Sequence, residues 1–401
     1  MTESGITFYL WLLVAVAAGW LLARYSIKPA RRSRRTTSDI YHDYFVGLNY
    51  LLRDEPDEAV DTFIRGLEVN GDTFETHLAL GTLLRRRGKV DKAITVHQDL
   101  LARSGLPSEF GDSVRLELSN DYIAAGLLDR AERLLKELLS DDNPSRWDAL
   151  AQLVTVYQIE KEWAQAIEMV DQLIQNSRYR REKTLRSVAA HYCCELAEQS
   201  LASDNLDQTR EYLRKAFQYD RGSARTSMLI AGVELKSGNP ERARKELLRV
   251  AYSHPKLITE VIPALRKSYL TQADDKRIVE WKKTLTKLLN DHPGSTLLLE
   301  LVQLVREQEG EAAAEQRLAE GLQQHPSLKA CQAMLQLQLD NFSGESRRFL
   351  KISVETLQNY LESKPGYRCE QCGFETRKLY WQCPSCQKWD QLNPIRGAEG
   401  D

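Results

Sequence analysis

Uncharged, mainly apolar residues fill the start of the chain without interruption. They occupy positions 6–23, and as a helix they would extend roughly 27 Å, close to the hydrocarbon thickness of a bilayer. Glu3 precedes this run, and basic residues cluster after it at positions 24–35. The pattern predicts a single transmembrane helix over residues 1–24 and a basic juxtamembrane linker over residues 25–40.

The basic cluster also predicts how the helix is oriented. Lys and Arg beside a membrane span stay in the cytoplasm, so the bulk of the chain is expected on the cytoplasmic side. A cleaved secretory signal would have its positive charge before the apolar run. That reading and a buried core helix remain the alternatives. The cluster would contact anionic membrane lipid, and a specific partner site there is a second possibility.

A helical pattern that recurs in units begins at residue 41. Gly47 and Ala59 in one unit match Gly81 and Ala93 in the next, each pair 34 residues apart. This is the period of tetratricopeptide (TPR) repeats, in which each unit is a pair of helices. The small residues let the two helices of a pair approach closely, while large apolar residues fill the spaces between them.

The repeat pattern continues to about residue 340. His-Pro dipeptides at 254–255, 292–293 and 325–326 end successive units, because proline disfavours helical geometry in the residue before it. We predict an all-α fold in which about eight helical pairs over residues 41–340 form one continuous superhelix. Its inner face would bind an extended peptide or a partner helix.

One more amphipathic helix is predicted over residues 341–366. Its apolar side chains recur at roughly helical spacing and include Phe349, Val354 and Tyr360. The helix would either cap the repeat array or dock the C-terminal segment onto it.

Charge and cysteine content narrow the function. The 55 Lys and Arg residues nearly balance 57 Asp and Glu residues. The chain therefore has no excess of positive charge that would indicate nucleic acid as a partner. Four of the seven cysteines lie between positions 369 and 386, unlike the spread of a disulfide framework, and this favours a reducing compartment. Cys193, Cys194 and Cys331 are predicted to be small buried side chains in helices.

The clustered cysteines form two C-x-x-C pairs. Cys369 and Cys372 are separated by ten residues from Cys383 and Cys386. Four thiolates suit a tetrahedral site for zinc or a single iron. Two disulfides, a redox-active pair and an electron-transfer iron are the alternatives.

A module this small needs the metal in order to fold. Its core is predicted to consist almost wholly of aromatic side chains, which are Phe374, Tyr380, Trp381 and Trp389.

Motifs of catalysis are missing from the sequence. It contains no P-loop, no dinucleotide-binding G-x-G-x-x-G after a strand, no H-E-x-x-H and no G-x-S-x-G. His77, His97 and His191 lie in helices without a partner ligand at i+4. We interpret them as structural residues and predict a protein that binds partners without catalysing a reaction.

Several runs of residues carry a family resemblance. They include LALGTLLRRRGKVDKAITVHQ at 78–98, Asp121-Tyr122, and Tyr367 through Gly397 with LYWQCPSC and PIRG. In these runs the chain resembles the lipopolysaccharide assembly protein B family over essentially its full length.

That resemblance implies a single-pass protein of a bacterial inner membrane that regulates lipopolysaccharide synthesis. Family members present the lipid A deacetylase LpxC to the membrane protease FtsH, and a membrane regulator of the LapC type is a further implied partner. The alternative is a scaffold that clusters lipopolysaccharide synthesis and transport proteins.

The resemblance also implies a rubredoxin-like metal module over residues 367–392, followed by a C-terminal tail over residues 393–401. One iron ion, or alternatively zinc, would be bound by Cys369, Cys372, Cys383 and Cys386.

Overall fold

The structure, a computed structural model, describes residues 74–102, 108–271 and 274–397, with a few positions between 11 and 62. Positions 11, 14–18 and 20 are helical and exposed. In the first repeat unit, positions 45–47, 49, 50, 58 and 62 are helical. The rest of the predicted membrane helix and of that unit, and the whole linker, lie outside the described residues. Within the described part of the chain, no helix combines the length and apolarity needed to cross a bilayer.

Helices make up nearly all of the chain from residue 74 to residue 363. In chain order they are α1 (Phe74–Arg86), α2 (Val90–Leu101), α3 (Ser108–Ala124), α4 (Leu128–Glu137), α5 (Arg146–Glu160), α6 (Trp163–Leu173), α7 (Ser177–Arg180), α8 (Lys183–Ala202), α9 (Leu206–Tyr219), α10 (Ala224–Lys236), α11 (Pro240–Ser253), α12 (Ile258–Leu270), α13 (Asp275–Asp291), α14 (Ser295–Glu309), α15 (Glu311–Gln324), α16 (Leu328–Gln338) and α17 (Gly344–Ser363). The predicted helical repeats are confirmed over this range.

Short turns join the two helices of a pair. Gly88 after α1 and Gly238 after α10 have φ angles of 78° and 77°, in the left-handed region that glycine adopts without steric cost. In the first of these turns the amide of Lys89 donates to the carbonyl of Leu84 at 2.9 Å. The turns reverse the chain, so that α2 packs on α1 and α11 packs on α10.

The chain divides into two compact units, residues 1–134 and 135–401. In the first unit, Gly81 faces the buried ring of His97. Asp121, also fully buried, contacts that ring and accepts a hydrogen bond from Arg85 at 2.7 Å. These polar groups satisfy one another, as buried polar groups must.

In the second unit, the first helices of successive pairs lie side by side. α8 contacts α10, α10 contacts α12, α12 contacts α14, and α14 contacts α16. The inner sides of α10, α12, α14 and α16 contribute to a shared apolar core that includes fully buried Trp281 of α13. This arrangement creates a row of first helices on which another part of the chain can lie.

The row ends at α16 and α17. α17 packs on α16, which agrees with a capping role, and of its residues Val354 is buried whereas Phe349 is 64% exposed. The prediction that Cys331 is buried is wrong, because α16 buries only its Ala330 and the next position points outward.

The last segment forms a small antiparallel sheet of three strands. β1 (Tyr367–Cys369) is central, with β2 (Glu375–Thr376) on one side and β3 (Leu392–Pro394) on the other. Tyr367 is opposite both Thr376 and Pro394. We call residues 367–394 the ribbon.

Candidate metal centre and its docking on the helices

The two C-x-x-C pairs converge at one end of the ribbon. The four Sγ atoms of Cys369, Cys372, Cys383 and Cys386 lie within 4.8 Å of one another. Two of the sulfur–sulfur distances, Cys369 to Cys386 and Cys372 to Cys383, are 3.7 Å. A tetrahedral ion with metal–sulfur bonds of about 2.3 Å has edges of about 3.8 Å. These residues therefore fit a tetrahedral metal ion.

Each pair lies in a tight turn of the same design. Gly373 donates its amide to the Cys369 carbonyl at 3.0 Å, and Gln387 donates to the Cys383 carbonyl at 2.9 Å. Both residues have positive φ, 76° and 59°. The turns bring the amides of the following residues toward the sulfurs, as sulfur-ligated metal sites require.

These amides change the acidity of the thiols. The backbone N–H of Phe374 hydrogen bonds to Cys372 and lowers the pKa of that thiol to about 6. The Lys388 amide acts in the same direction on Cys386, but desolvation and the three neighbouring sulfurs outweigh it, so the pKa of Cys386 rises to about 12. Repulsion among clustered thiolates is what a bound cation removes.

Trp389 packs the ribbon against α5 and α8. Its indole N–H donates to Oε1 of Gln158 in α5 at 2.9 Å. Its ring stacks on His191 of α8 at a centroid distance of 4.7 Å and meets the edge of Trp163 at 6.1 Å. Trp389 is 8% exposed, so burial of a large aromatic surface holds the two parts together.

Polar contacts surround this aromatic anchor. Asp390 contacts Nε2 of His191 at 2.8 Å, and the Tyr367 hydroxyl donates to Glu260 of α12. Lys256, just before α12, pairs with Glu370 at 2.9 Å. The ribbon thus contacts α5, α8 and α12, which are first helices of three different repeat pairs.

Arg225 of α10 supports the same interface from within the helices. Its guanidinium lies 5.9 Å from the ring centroids of both Trp381 and Trp389. The side chain is 3% exposed and pairs with Glu195 at 2.8 Å. A paired, buried cation next to two indoles adds cation–π attraction to the docking.

Backbone hydrogen bonds connect the docking residues to the metal centre. The amide of Cys383 donates to the Lys388 carbonyl, and the amide of Asp390 donates to the Trp381 carbonyl, each at 2.9 Å. The second C-x-x-C turn therefore sets the positions of Trp389 and Asp390. The metal centre and the docking residues therefore belong to one hydrogen-bonded segment.

Comparison with known proteins places this geometry in a family. Residues 367–394 match a family described as rubredoxin metal binding domain, and residues 76–108 and 200–261 match tetratricopeptide repeats. Lipopolysaccharide assembly protein B of Escherichia coli K12 is 34% identical over 98% of each chain. The chain belongs to the lipopolysaccharide assembly protein B family. The family's protein from Haemophilus influenzae is 29% identical over 98% of each chain.

Among solved structures, the crystal structure of MamA protein is 21% identical to this chain, with a TM-score of 0.34. The match covers 47% of this chain and 96% of the MamA chain.

The prediction of which residues form the ribbon's core is only partly correct. Phe374 packs inside the ribbon as predicted, but the buried residues against which it packs are Cys369, Cys383 and Leu392. Tyr380 is 42% exposed, whereas Trp381 and Trp389 pack on the helices. The prediction failed for Trp381 and Trp389 because it assigned them to the ribbon's own core, whereas the neighbouring helices offer them a second surface on which to pack.

The structure also assigns roles that the sequence did not reveal. Gln158 and His191 receive the ribbon, yet they lie 231 and 199 residues from their partners. Nothing in helical periodicity marks either residue, since both occupy ordinary positions on first helices. Cys193 and Cys194 are buried, as predicted.

Proposed function

We propose that this protein is a membrane-anchored, non-catalytic adaptor that regulates lipopolysaccharide biosynthesis. In this role it binds the lipid A deacetylase LpxC and the membrane protease FtsH, and it promotes proteolysis of the deacetylase. The names of the curated relatives support a role in lipopolysaccharide assembly. The TPR repeats support an adaptor, because such repeats bind peptides and partner helices.

The docking of the ribbon on the helices is the observation that carries this proposal. Trp389, Asp390 and Tyr367 hold the ribbon against α5, α8 and α12. The helices and the ribbon therefore form one preorganised surface. Such a surface suits the recognition of a protein client, since little conformational entropy is lost when the client binds.

The proposed location is the bacterial inner membrane, with a single span and the bulk of the chain on the cytoplasmic side. The uncharged run at positions 6–23 and the basic residues that follow it support this topology. The basic cluster would contact anionic membrane lipid. A regulator of the LapC type would bind the anchor or the linker.

The proposed metal is one iron ion held by the four cysteines, with zinc as the alternative. Both ions accept a tetrahedral set of four sulfurs. When bound, the ion supplies folding free energy to the ribbon. Its function in this proposal is structural, because it keeps the docking residues in place.

The test is the half-life of the deacetylase in cells depleted of this protein, with the protease active or inactivated. Depletion should lengthen the half-life only while the protease is active. Full-length protein supplied from a plasmid should restore rapid turnover. A version lacking residues 1–24 should not, because it has lost its position at the membrane.

The assembly scaffold is the second candidate, and the word assembly in the names of the relatives favours it. A scaffold clusters synthesis and transport proteins at the membrane without directing degradation. An unchanged half-life after depletion would support the scaffold and refute the adaptor. Rapid turnover with the version lacking residues 1–24 would refute the role of the anchor.

A further inference from the structure

A cleft of about 740 Å³ lies between the ribbon and the helices, beside Trp389. One wall comes from α5 and α8 and is largely apolar, with Val154, Leu185 and Val188 among its residues. Ile159 belongs to this wall and is 40% exposed. Exposed apolar area in a concave site is what a ligand with apolar side chains can cover.

The opposite wall comes from the ribbon and is rich in carboxamides. It contains Gln371, Gln387 and Gln391. Across the described residues, the side-chain amides of Gln371 and Gln387 have no hydrogen-bond partner, and both residues are exposed. A carboxamide offers one acceptor and two donor hydrogens. This combination matches the alternating N–H and C=O groups of a peptide backbone.

Gln158 provides a fourth carboxamide at the base of the cleft. Its Oε1 accepts from the Tyr192 hydroxyl at 2.8 Å and from the Trp389 indole at 2.9 Å. Both contacts use the oxygen, so the orientation of the amide is fixed by the docked ribbon. The ribbon wall and the base of the cleft therefore exist together only when the ribbon is docked.

The charges around the cleft are few and of opposite sign. Glu182 and Lys388 are the acidic and basic residues among those that line it, and Cys386 of the metal centre also lines it. A strongly charged ligand would find no counterpart there, and its desolvation would be costly. The lining thus favours a neutral segment with apolar side chains on one side and a free backbone on the other, which is the pattern of an extended strand.

We propose that this cleft binds an extended, uncharged peptide segment of the client protein. Apolar side chains at alternate positions lie against α5 and α8, and the peptide backbone exchanges hydrogen bonds with Gln371 and Gln387. The proposal rests on the adaptor function and names the class of segment that the adaptor recognises.

The test measures binding of fluorescent dodecapeptides to the full chain in lipid nanodiscs, with empty nanodiscs as the blank. One peptide alternates Leu and Ser, a second replaces each Leu with Lys, and a third keeps the Leu side chains but carries N-methyl groups on alternate backbone nitrogens. The first peptide should bind at least tenfold more tightly than either of the others. Equal binding of all three, or no binding of the first, would overturn the proposal.

Variants then locate the site. Ile159→Asp should weaken binding of the first peptide at least tenfold. The double variant Gln371→Ala, Gln387→Ala should weaken its binding severalfold. Ile352→Asp is the matched control, because Ile352 is 49% exposed on α17 and does not line the cleft. Equal loss in Ile159→Asp and Ile352→Asp would place the peptide elsewhere and refute the site.

The cellular half-life experiment separates this proposal from the adaptor function. If Ile159→Asp leaves peptide binding intact while depletion still stabilises the deacetylase, the adaptor stands and the cleft is not its client site. If peptides bind at the cleft and depletion leaves the half-life unchanged, the cleft serves a protein with a different function.

Discussion

The indole N–H of Trp389 donates to Oε1 of Gln158 at 2.9 Å, and this bond joins residues 231 positions apart. It lies where the ribbon meets the row of first helices. Lys388, the residue before Trp389, accepts a backbone hydrogen bond from the metal-site residue Cys383. The bond between Trp389 and Gln158 therefore links the metal centre to the repeats. The C-terminal segment is thus an integral part of the surface that the helices present.

Truncation of Trp389 should release the ribbon. Trp389→Ala removes a buried aromatic side chain, and such changes typically cost about 3–5 kcal/mol. We expect a loss of about 3 kcal/mol in docking free energy, seen as faster hydrogen exchange in the ribbon and in α5 and α8. Tyr380→Ala is the control, since Tyr380 is 42% exposed. Unchanged exchange in Trp389→Ala would contradict the anchoring role.

Loss of one sulfur should unfold the ribbon and spare the helices. Cys383 is fully buried among the four thiols, and small metal modules do not fold without their ion. In Cys383→Ser, and in native protein treated with a strong chelator, proteases should cut within residues 367–397 while far-ultraviolet circular dichroism stays nearly constant. Cys331→Ser should behave as native protein, because Cys331 is exposed outside the ribbon.

Two glycines within helices should respond to alanine in opposite ways. At Gly81 a Cβ would lie 2.3 Å from Nε2 of His97, whereas at Gly232 it would meet nothing within 4 Å. Gly81→Ala should destabilise the fold by about 1–3 kcal/mol through overpacking. Gly232→Ala should stabilise it by up to about 1 kcal/mol through helix propensity. Urea unfolding curves measure both, and equal shifts would refute the close contact at Gly81.

Alkaline pH should weaken the fold through two buried thiols. Burial raises the pKa of Cys193 from its ordinary 9.0 to about 12 and that of Cys194 to about 11. Above pH 9 the unfolded chain releases these protons and the folded chain keeps them. Stability is therefore complete below pH 9 and falls as pH rises toward 11 and 12.

The expected loss from this pair is about 3 kcal/mol between pH 8 and pH 10. The measurement is urea unfolding at both values, for native protein and for Cys193→Ala with Cys194→Ala. The double variant should lose about 3 kcal/mol less than native protein over the same range. An identical loss in both proteins would show that other groups cause the alkaline effect.

The local features of this protein follow from its sequence. The 34-residue offset between Gly47 and Gly81 and the spacing of the four cysteines predict TPR helices and a four-sulfur cluster, and the structure contains both over the residues it describes. These features are accessible because they depend on helical periodicity and short turns, which involve neighbouring residues. The predicted membrane helix stays a prediction.

The relation between the ribbon and the helices was decided by the tertiary structure alone. Trp389 could have filled the ribbon's own core, and the sequence gives no reason to prefer His191 and Gln158. The choice depends on which surface buries more of the indole and satisfies its N–H, and that surface forms only after α5, α8 and α10 have packed together. The cleft beside Trp389 has the same origin, because its two walls come from segments separated by about two hundred residues.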